Sequence, residues 1–308
     1  MNLLLFLSTV LIWGTTWIAI ALEVGPVPVL VSVFYRFALA ALILLGALAA
    51  TGRLSVPARR HHPFILAQAL CLFCCNFLCF YAAAATVPSG LVSVVFSLAT
   101  LFNAVNARLF FGTPVTARVA LAAALGVCGL LLLFGHDVAV GIDGGTPRGI
   151  GLAVLGTLFF SLGNMASRRN SEAGIPPLTA NAWGMAYGAL VLLALMGITG
   201  TPFVAPPSGT YVAALAYLAA VGSVVGFTTY LSLVARVGAS RAAYATVLFP
   251  IVALAISTLF EGYRWHWTGL LGLAVALLGN AVTFWRPAAP RTRSSLRGRA
   301  GRFLSGLS

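Results

Sequence analysis

Residues 77–134 of this chain read a second time, without a gap, as residues 227–284, and what repeats is a series of apolar spans. Phe77 and Phe227, Val87 and Val237, Leu98 and Leu248, and Phe110 and Phe260 coincide in that alignment. Gly112 and Gly262, Gly129 and Gly279, and Phe134 and Phe284 do the same. The turns keep phase as well: Thr86–Pro88 matches Arg236–Gly238, and Gly112–Pro114 matches Gly262–Arg264. Identities alone could arise by chance in so hydrophobic a chain. Shared phase of spans and turns marks an internal duplication of five helices.

The spans set the solvent. The chain is 60% hydrophobic and only 7% charged, and its charges fall mostly between apolar runs of about 20 residues, the length that crosses a bilayer core. We place ten spans, at about 1–22, 29–50, 64–84, 89–107 and 118–134, then 149–167, 179–199, 210–234, 242–260 and 266–285. The first resembles a signal peptide at Ala19-Ile20-Ala21, but it has no basic side chain ahead of it and its removal would break the symmetry.

Arginine orients the spans. With the N-terminus in the cytoplasm, inner loops carry Arg53, Arg59, Arg60, Arg108, Arg118, Arg168, Arg169, Arg236 and Arg241, and the tail adds six more. Outer loops keep only Arg148 and Arg264, the asymmetry of the positive-inside rule. Both termini are then cytoplasmic. An odd number of spans per repeat inverts the second against the first. The expected fold is therefore an all-α integral membrane protein, ten transmembrane helices in two inverted five-helix repeats about a central cavity. The repeats occupy 1–135 and 149–286, an extracytoplasmic connector occupies 136–148, and a basic tail at 287–308 is expected to be disordered against anionic headgroups.

Several chemistries are excluded. All 18 basic residues are arginine, so there is no phosphate-loop lysine and no Schiff-base lysine. The net charge of +13 sits at membrane edges and in the tail, which points to lipid rather than nucleic acid. Cys71, Cys74, Cys75 and Cys79 mimic a metal motif, yet they lie inside an apolar span without a neighbouring histidine or carboxylate and read as packing residues. No cofactor is implied. No carboxylate lies within a span, since Glu23 and Glu261 fall at outer ends. The expectation is facilitated diffusion, or coupling through a peripheral group.

Polar residues inside spans are the candidates for substrate contact, because hydrocarbon leaves them otherwise unsatisfied. Ser93, Ser97 and Thr100 form one stripe in span four, continued by Asn103 and Asn106; Thr157, Ser161, Asn164 and Arg168 form another in span six. They line a cavity, or they bond their own backbone and glue helices together. Asn76 and Thr229 add hydrogen-bonding groups. Trp13, Trp17, Tyr81 and Tyr244 offer an aromatic wall, or simply core and interfacial packing. Arg36 lies about 11 Å inside span two at 1.5 Å per residue, placed to take a substrate carboxylate, to snorkel, or to pair with Glu23. Pro250 interrupts the backbone ladder of span nine and is a candidate hinge. Gly222-x3-Gly226, Ala122-x3-Gly126 and Gly272-x3-Ala276 are small-residue stripes for close helix contact.

Trp13-Gly14-Thr15-Thr16-Trp17, Arg36-Phe37, Phe80-Tyr81-Ala82-Ala83, Phe249-Pro250 and Gly272…Gly279, at their spacing, resemble the EamA family of the drug/metabolite transporter superfamily. The resemblance covers about residues 3–285. It implies export of amino acids or other small metabolites through a cavity lined by spans 1, 3, 4, 6, 8 and 9. The chain departs from the family at Thr100, where many relatives have a proline, and at Gly112-Thr113, where an acid commonly follows the glycine.

The expectation is a secondary, non-enzymatic inner-membrane transporter of small amphipathic metabolites, neutral or aromatic amino acids first. The alternatives are a carrier of organic cations, drugs or sugar derivatives, and a non-transport membrane assembly protein. An intramembrane enzyme would need a nucleophile with a base, or a metal cluster, and neither stands out.

Overall fold

The computed structural model describes residues 2–139, 145–237 and 245–284. Helices α1 (Asn2–Glu23) and α2 (Val29–Ala50) are followed by α3 (Arg59–Ala84), α4 (Ser89–Phe111) and α5 (Ala117–Ala139). The second half holds α6 (Gly145–Glu172), α7 (Pro177–Thr199), α8 (209–237), α9 (Ala245–Phe260) and α10 (Trp267–Phe284). Seven of these are long and apolar enough to cross a membrane, and α5, α9 and α10 each contain a shorter apolar run. Leucines that a water-soluble protein would bury face outward, among them Leu3, Leu7, Leu42, Leu131, Leu259 and Leu278. Hydrocarbon is the solvent that suits them. Tyr244, Arg241 and the tail lie outside the described residues.

The duplication is visible in local geometry. Gly112 ends α4 and Gly262 follows α9, and both have φ of 66°, the left-handed conformation that closes a helix and favours glycine. Helices α3 and α8 each contain a π-helical stretch, at Leu70–Cys75 and Tyr217–Val225, which overlap when the repeats are aligned. The equivalent helices α2 and α7 run antiparallel. At one end of the α2–α7 pair Trp183 Nε1 donates to the Ser55 carbonyl, and at the other Tyr35 donates to the Val204 carbonyl.

The α5–α10 pair shows the symmetry most clearly. A Cβ built at Gly129 would lie 2.7 Å from the Gly272 carbonyl oxygen and 2.6 Å from the Ala276 nitrogen. One at Gly279 would lie 2.8 Å from the Ala122 carbonyl oxygen and 3.1 Å from the Gly126 nitrogen. Gly129 and Gly279 are repeat equivalents, and so are the residues they meet. The small-residue stripes thus put two backbones in direct contact.

Three features depart from the sequence reading. The connector is shorter than expected, because α5 continues to Ala139 and α6 begins at Gly145. The interruption in the α4/α9 pair falls in α4, which lacks the proline. Residues Ser89–Phe96 and Ala99–Phe111 are joined by tight bonds from Ser97 N to the Val94 carbonyl and from Leu98 N to the Val95 carbonyl, both 3.0 Å. Ser93 Oγ donates back to the Gly90 carbonyl at 2.5 Å, a contact that bends helices. Helix α9 runs through Pro250 unbroken. Finally, Glu261, beyond α9, accepts from Ser89 N at 3.0 Å and from Ser89 Oγ at 2.7 Å, so an acid of the second repeat caps the α4 helix of the first.

Candidate functional site

Midway along the helices a cavity opens among Trp13, Thr16, Trp17 and Ile20 of α1, Leu72, Asn76, Phe77 and Phe80 of α3, Phe96 of α4 and Phe160 of α6. Gly222 and Phe227 of α8, Phe249 of α9 and Arg36 of α2 complete it. About 70 Å³ of it is open to the centres of water-sized molecules. By that measure one water takes roughly 10–15 Å³, so the space holds several waters or one small solute.

Aromatic rings make most of the wall. Trp17 meets Phe80 edge-on at 5.3 Å and stacks with Phe249 at 6.4 Å, while Phe96 meets Phe160 at 4.6 Å. Trp13 contacts Phe227 and Tyr230 at 5.7 and 4.9 Å. Trp13 packs where Gly226 leaves room, and Gly163 packs against Leu72.

Besides Thr16, whose hydroxyl donates to the Trp13 carbonyl at 2.8 Å, two polar side chains break the apolar lining. The Arg36 guanidinium is 3% exposed, sits 4.3 Å over the Phe77 ring, and sends Nε to Ser223 Oγ at 3.4 Å. Its Nη1 has no acceptor among the described residues. Asn76 is 1% exposed and its Oδ1 has no donor among them. Unpartnered buried polar atoms cost free energy, about 1–3 kcal/mol each, and are rare. Here both belong to side chains that line the one cavity. Asn76→Leu removes the stranded oxygen at similar volume. We expect it to leave the melting temperature unchanged or raise it, by up to ~2 kcal/mol in stability. A large loss of stability in thermal unfolding would show that Oδ1 has a structural partner.

The other candidate residues fall elsewhere. Tyr81 lies one step behind the wall and donates to Glu23 Oε2 at 2.7 Å. The two polar stripes face each other: Asn106 Nδ2 donates to Ser161 Oγ at 2.8 Å and Asn164 Nδ2 to Asn103 Oδ1 at 3.2 Å. Ser93 and Thr157 bond carbonyls of their own helices. Ser97 and Thr100 line a smaller hollow beside α5 and α10, and Thr229 is half-buried in α8 away from the cavity lining. Pro250 is buried within α9 beside the lining residue Phe249. Glu23 ends α1 as expected, but it is 1% exposed, so this helix end carries a buried carboxylate.

Sequence reasoning missed Phe80, Phe96, Phe160 and Phe249 because phenylalanine in an apolar span carries no polar signal. For Phe77 and Phe227 a signal was available. They are identical at equivalent repeat positions, and both line the cavity.

Among the described residues no three histidine, cysteine or acidic side chains converge as metal ligands. Comparison with known proteins gives a consistent placement. Residues 1–135 and 147–285 each match the EamA-like transporter family. Escherichia coli K12 has a protein named uncharacterized inner membrane transporter YedA that is 28% identical over 275 residues, 87% of each chain. Protein PagO of Salmonella typhimurium is 23% identical over 286 residues, 91% of each chain. One solved crystal structure superposes with a TM-score of 0.66 at 20% identity, over 91% of this chain and 95% of the other, a likeness of fold. With two family matches that together span nearly its whole length, the chain belongs to the EamA-like transporter family and is a multi-pass membrane transporter.

Proposed function

We propose that this protein is a secondary transporter of small amphipathic solutes that carry a carboxylate and a hydrogen-bond donor, with neutral and aromatic amino acids as the leading class. The observation that carries the reading is a pair of side chains, Arg36 and Asn76, that line an aromatic cavity and each hold a buried atom, Nη1 and Oδ1, without a partner among the described residues. A carboxylate satisfies the guanidinium with a charge-assisted bond, and an ammonium donates to the amide oxygen. The aromatic wall then takes the apolar side chain.

The composition of the site also weighs against the other solute classes. Sugar phosphates and nucleotide sugars need several cations, and Arg36 is the single cationic side chain in the described lining. Organic cations suit aromatic rings but meet Arg36 as a like charge. The inverted repeats support alternating access about the cavity. The arginine asymmetry supports cytoplasmic termini, and the name of the E. coli relative supports an inner-membrane location. Export as the direction rests on the family resemblance.

The test is uptake of a labelled panel into proteoliposomes of the purified chain, comprising phenylalanine, leucine, phenylethylamine, phenylacetate and a sugar phosphate. Saturable flux of the two amino acids, with phenylethylamine excluded, is expected. Flux of the amine in preference to the amino acids would overturn the carboxylate reading and retain the fold.

A further inference from the structure

The cavity explains Arg36 Nη1 and Asn76 Oδ1 but leaves a third stranded atom. Glu23 Oε1 is buried and has no donor among the described residues, although Oε2 accepts from Tyr81 at 2.7 Å. Glu23 closes α1 a single turn beyond Ile20, which lines the cavity, and Tyr81 follows Phe80, which also lines it. No direct ion pair joins Glu23 to Arg36 among the described residues. Tyr81 stands between them, bonded to the carboxylate and in electrostatic contact with the guanidinium.

The groups that face Glu23 can be named by element. From α3 comes Tyr81, from α2 Arg36, and from α8 Tyr211, whose hydroxyl is shared with Ser32 at 2.7 Å. Two of these are neutral phenols, so Arg36 alone balances an ionised Glu23. A buried carboxylate without a matching charge is costly, and the usual escape is to take up a proton. Arg36 has a second demand on it, because its side chain lines the cavity. An anion docked there places two negative charges around one cation in a low-dielectric site. Coulomb repulsion then favours the protonated acid at Glu23.

We propose that Glu23 is a proton-binding site linked to the cavity through Tyr81 and Arg36, so that a substrate carboxylate at Arg36 and a proton at Glu23 bind as a pair. The proposal rests on the carboxylate reading above and adds the coupling ion. Because proton and substrate move the same way, an inward proton gradient drives uptake, so this proposal replaces export as the direction. The proton comes from water and forms an O–H bond at Oε1, Tyr81 keeps its own proton and its bond to Oε2, and both ligands leave together when the site empties. Linkage makes the effect reciprocal: substrate raises proton affinity, and acid raises substrate affinity. Of the two sequence-based expectations, facilitated diffusion or coupling through a peripheral group, the proposal takes the second.

The test uses the purified full chain in detergent, with L-phenylalanine as probe and Trp13 and Trp17 fluorescence as the binding signal. In weakly buffered solution, binding by the wild type is expected to take up close to one proton per molecule bound. Its affinity should fall by up to tenfold per pH unit as pH rises through the range where Glu23 ionises. E23Q should show no uptake and a flat affinity. Phenylalanine binding with neither uptake nor pH dependence overturns the linkage and leaves the carboxylate reading standing.

If phenylalanine does not bind, that reading fails, and infrared difference spectra of the ligand-free protein test the proton site alone. A protonated carboxyl stretch that grows on acidification and is missing from E23Q supports it; no such band overturns it. Should E23Q fail to fold, Tyr81→Phe keeps the carboxyl and removes the intervening hydroxyl. Its pH slope should be weakened, and a wild-type slope would overturn the path through Tyr81.

Discussion

Leucine at Gly272 is expected to prevent α5 and α10 from assembling. A side chain there starts 2.6 Å from the Gly129 carbonyl oxygen, 2.6 Å from the Leu133 nitrogen and 3.0 Å from the Leu133 Cα. All three are backbone atoms, so no rotamer change makes room and the helices must separate. Overpacking a tight contact costs about 1–3 kcal/mol when side chains can yield, and here the cost lies at or above the upper end. Separation would also release the symmetry-related contact of Gly279 with Ala122 and Gly126. Gly46→Ala is the matched control. A Cβ at Gly46 in α2 meets nothing within 4 Å, and alanine there should be neutral or stabilise by up to ~1 kcal/mol. The measurement is monodisperse yield and thermal melting in detergent. A G272L chain that melts like the wild type would show that the α5–α10 seam is looser than described.

The second large effect belongs to Arg36. Arg36→Gln keeps an amide N–H donor on a shorter side chain but removes the charge and the guanidinium fork. If that fork docks the substrate carboxylate, truncating a buried charge-assisted pair should cost about 2–5 kcal/mol, roughly thirty- to several-thousand-fold in affinity. Transport of amino acids should fall in step. Stability separates this from a purely structural role. A structural arginine would show its loss as unfolding, with the residual folded fraction binding normally. Wild-type flux in a folded R36Q chain would remove the carboxylate subsite.

The fold was legible in the sequence for physical reasons. Apolar spans have one solvent that suits them, and a repeat with an odd number of spans can only insert inverted. The turn glycines at 112 and 262 announced their own geometry, since a left-handed backbone is costly for other residues. The site was less legible. Trp13, Trp17, Arg36 and Asn76 were found because large aromatic or polar groups in a membrane span are conspicuous. The serine and asparagine stripes were equally conspicuous, but periodicity shows only that residues share a face. It does not show whether that face meets a cavity or another stripe, and Asn103, Asn106, Ser161 and Asn164 met each other. Glu23 was placed correctly at its helix end, but its burial was not legible, because a helix end reads as an aqueous boundary. Tyr81 bonds its carboxylate there instead.

The interruption of α4 at Ser97–Leu98 carries a consequence for motion. Its counterpart at 247–248 lies in unbroken helix, so two halves of common descent hold one element in two shapes. A carrier whose halves trade shapes gains its opposite-facing form without any new fold. Such an exchange would straighten α4 and bend α9 next to Pro250. The asymmetry between the repeats would then record which of two interchangeable forms this one is.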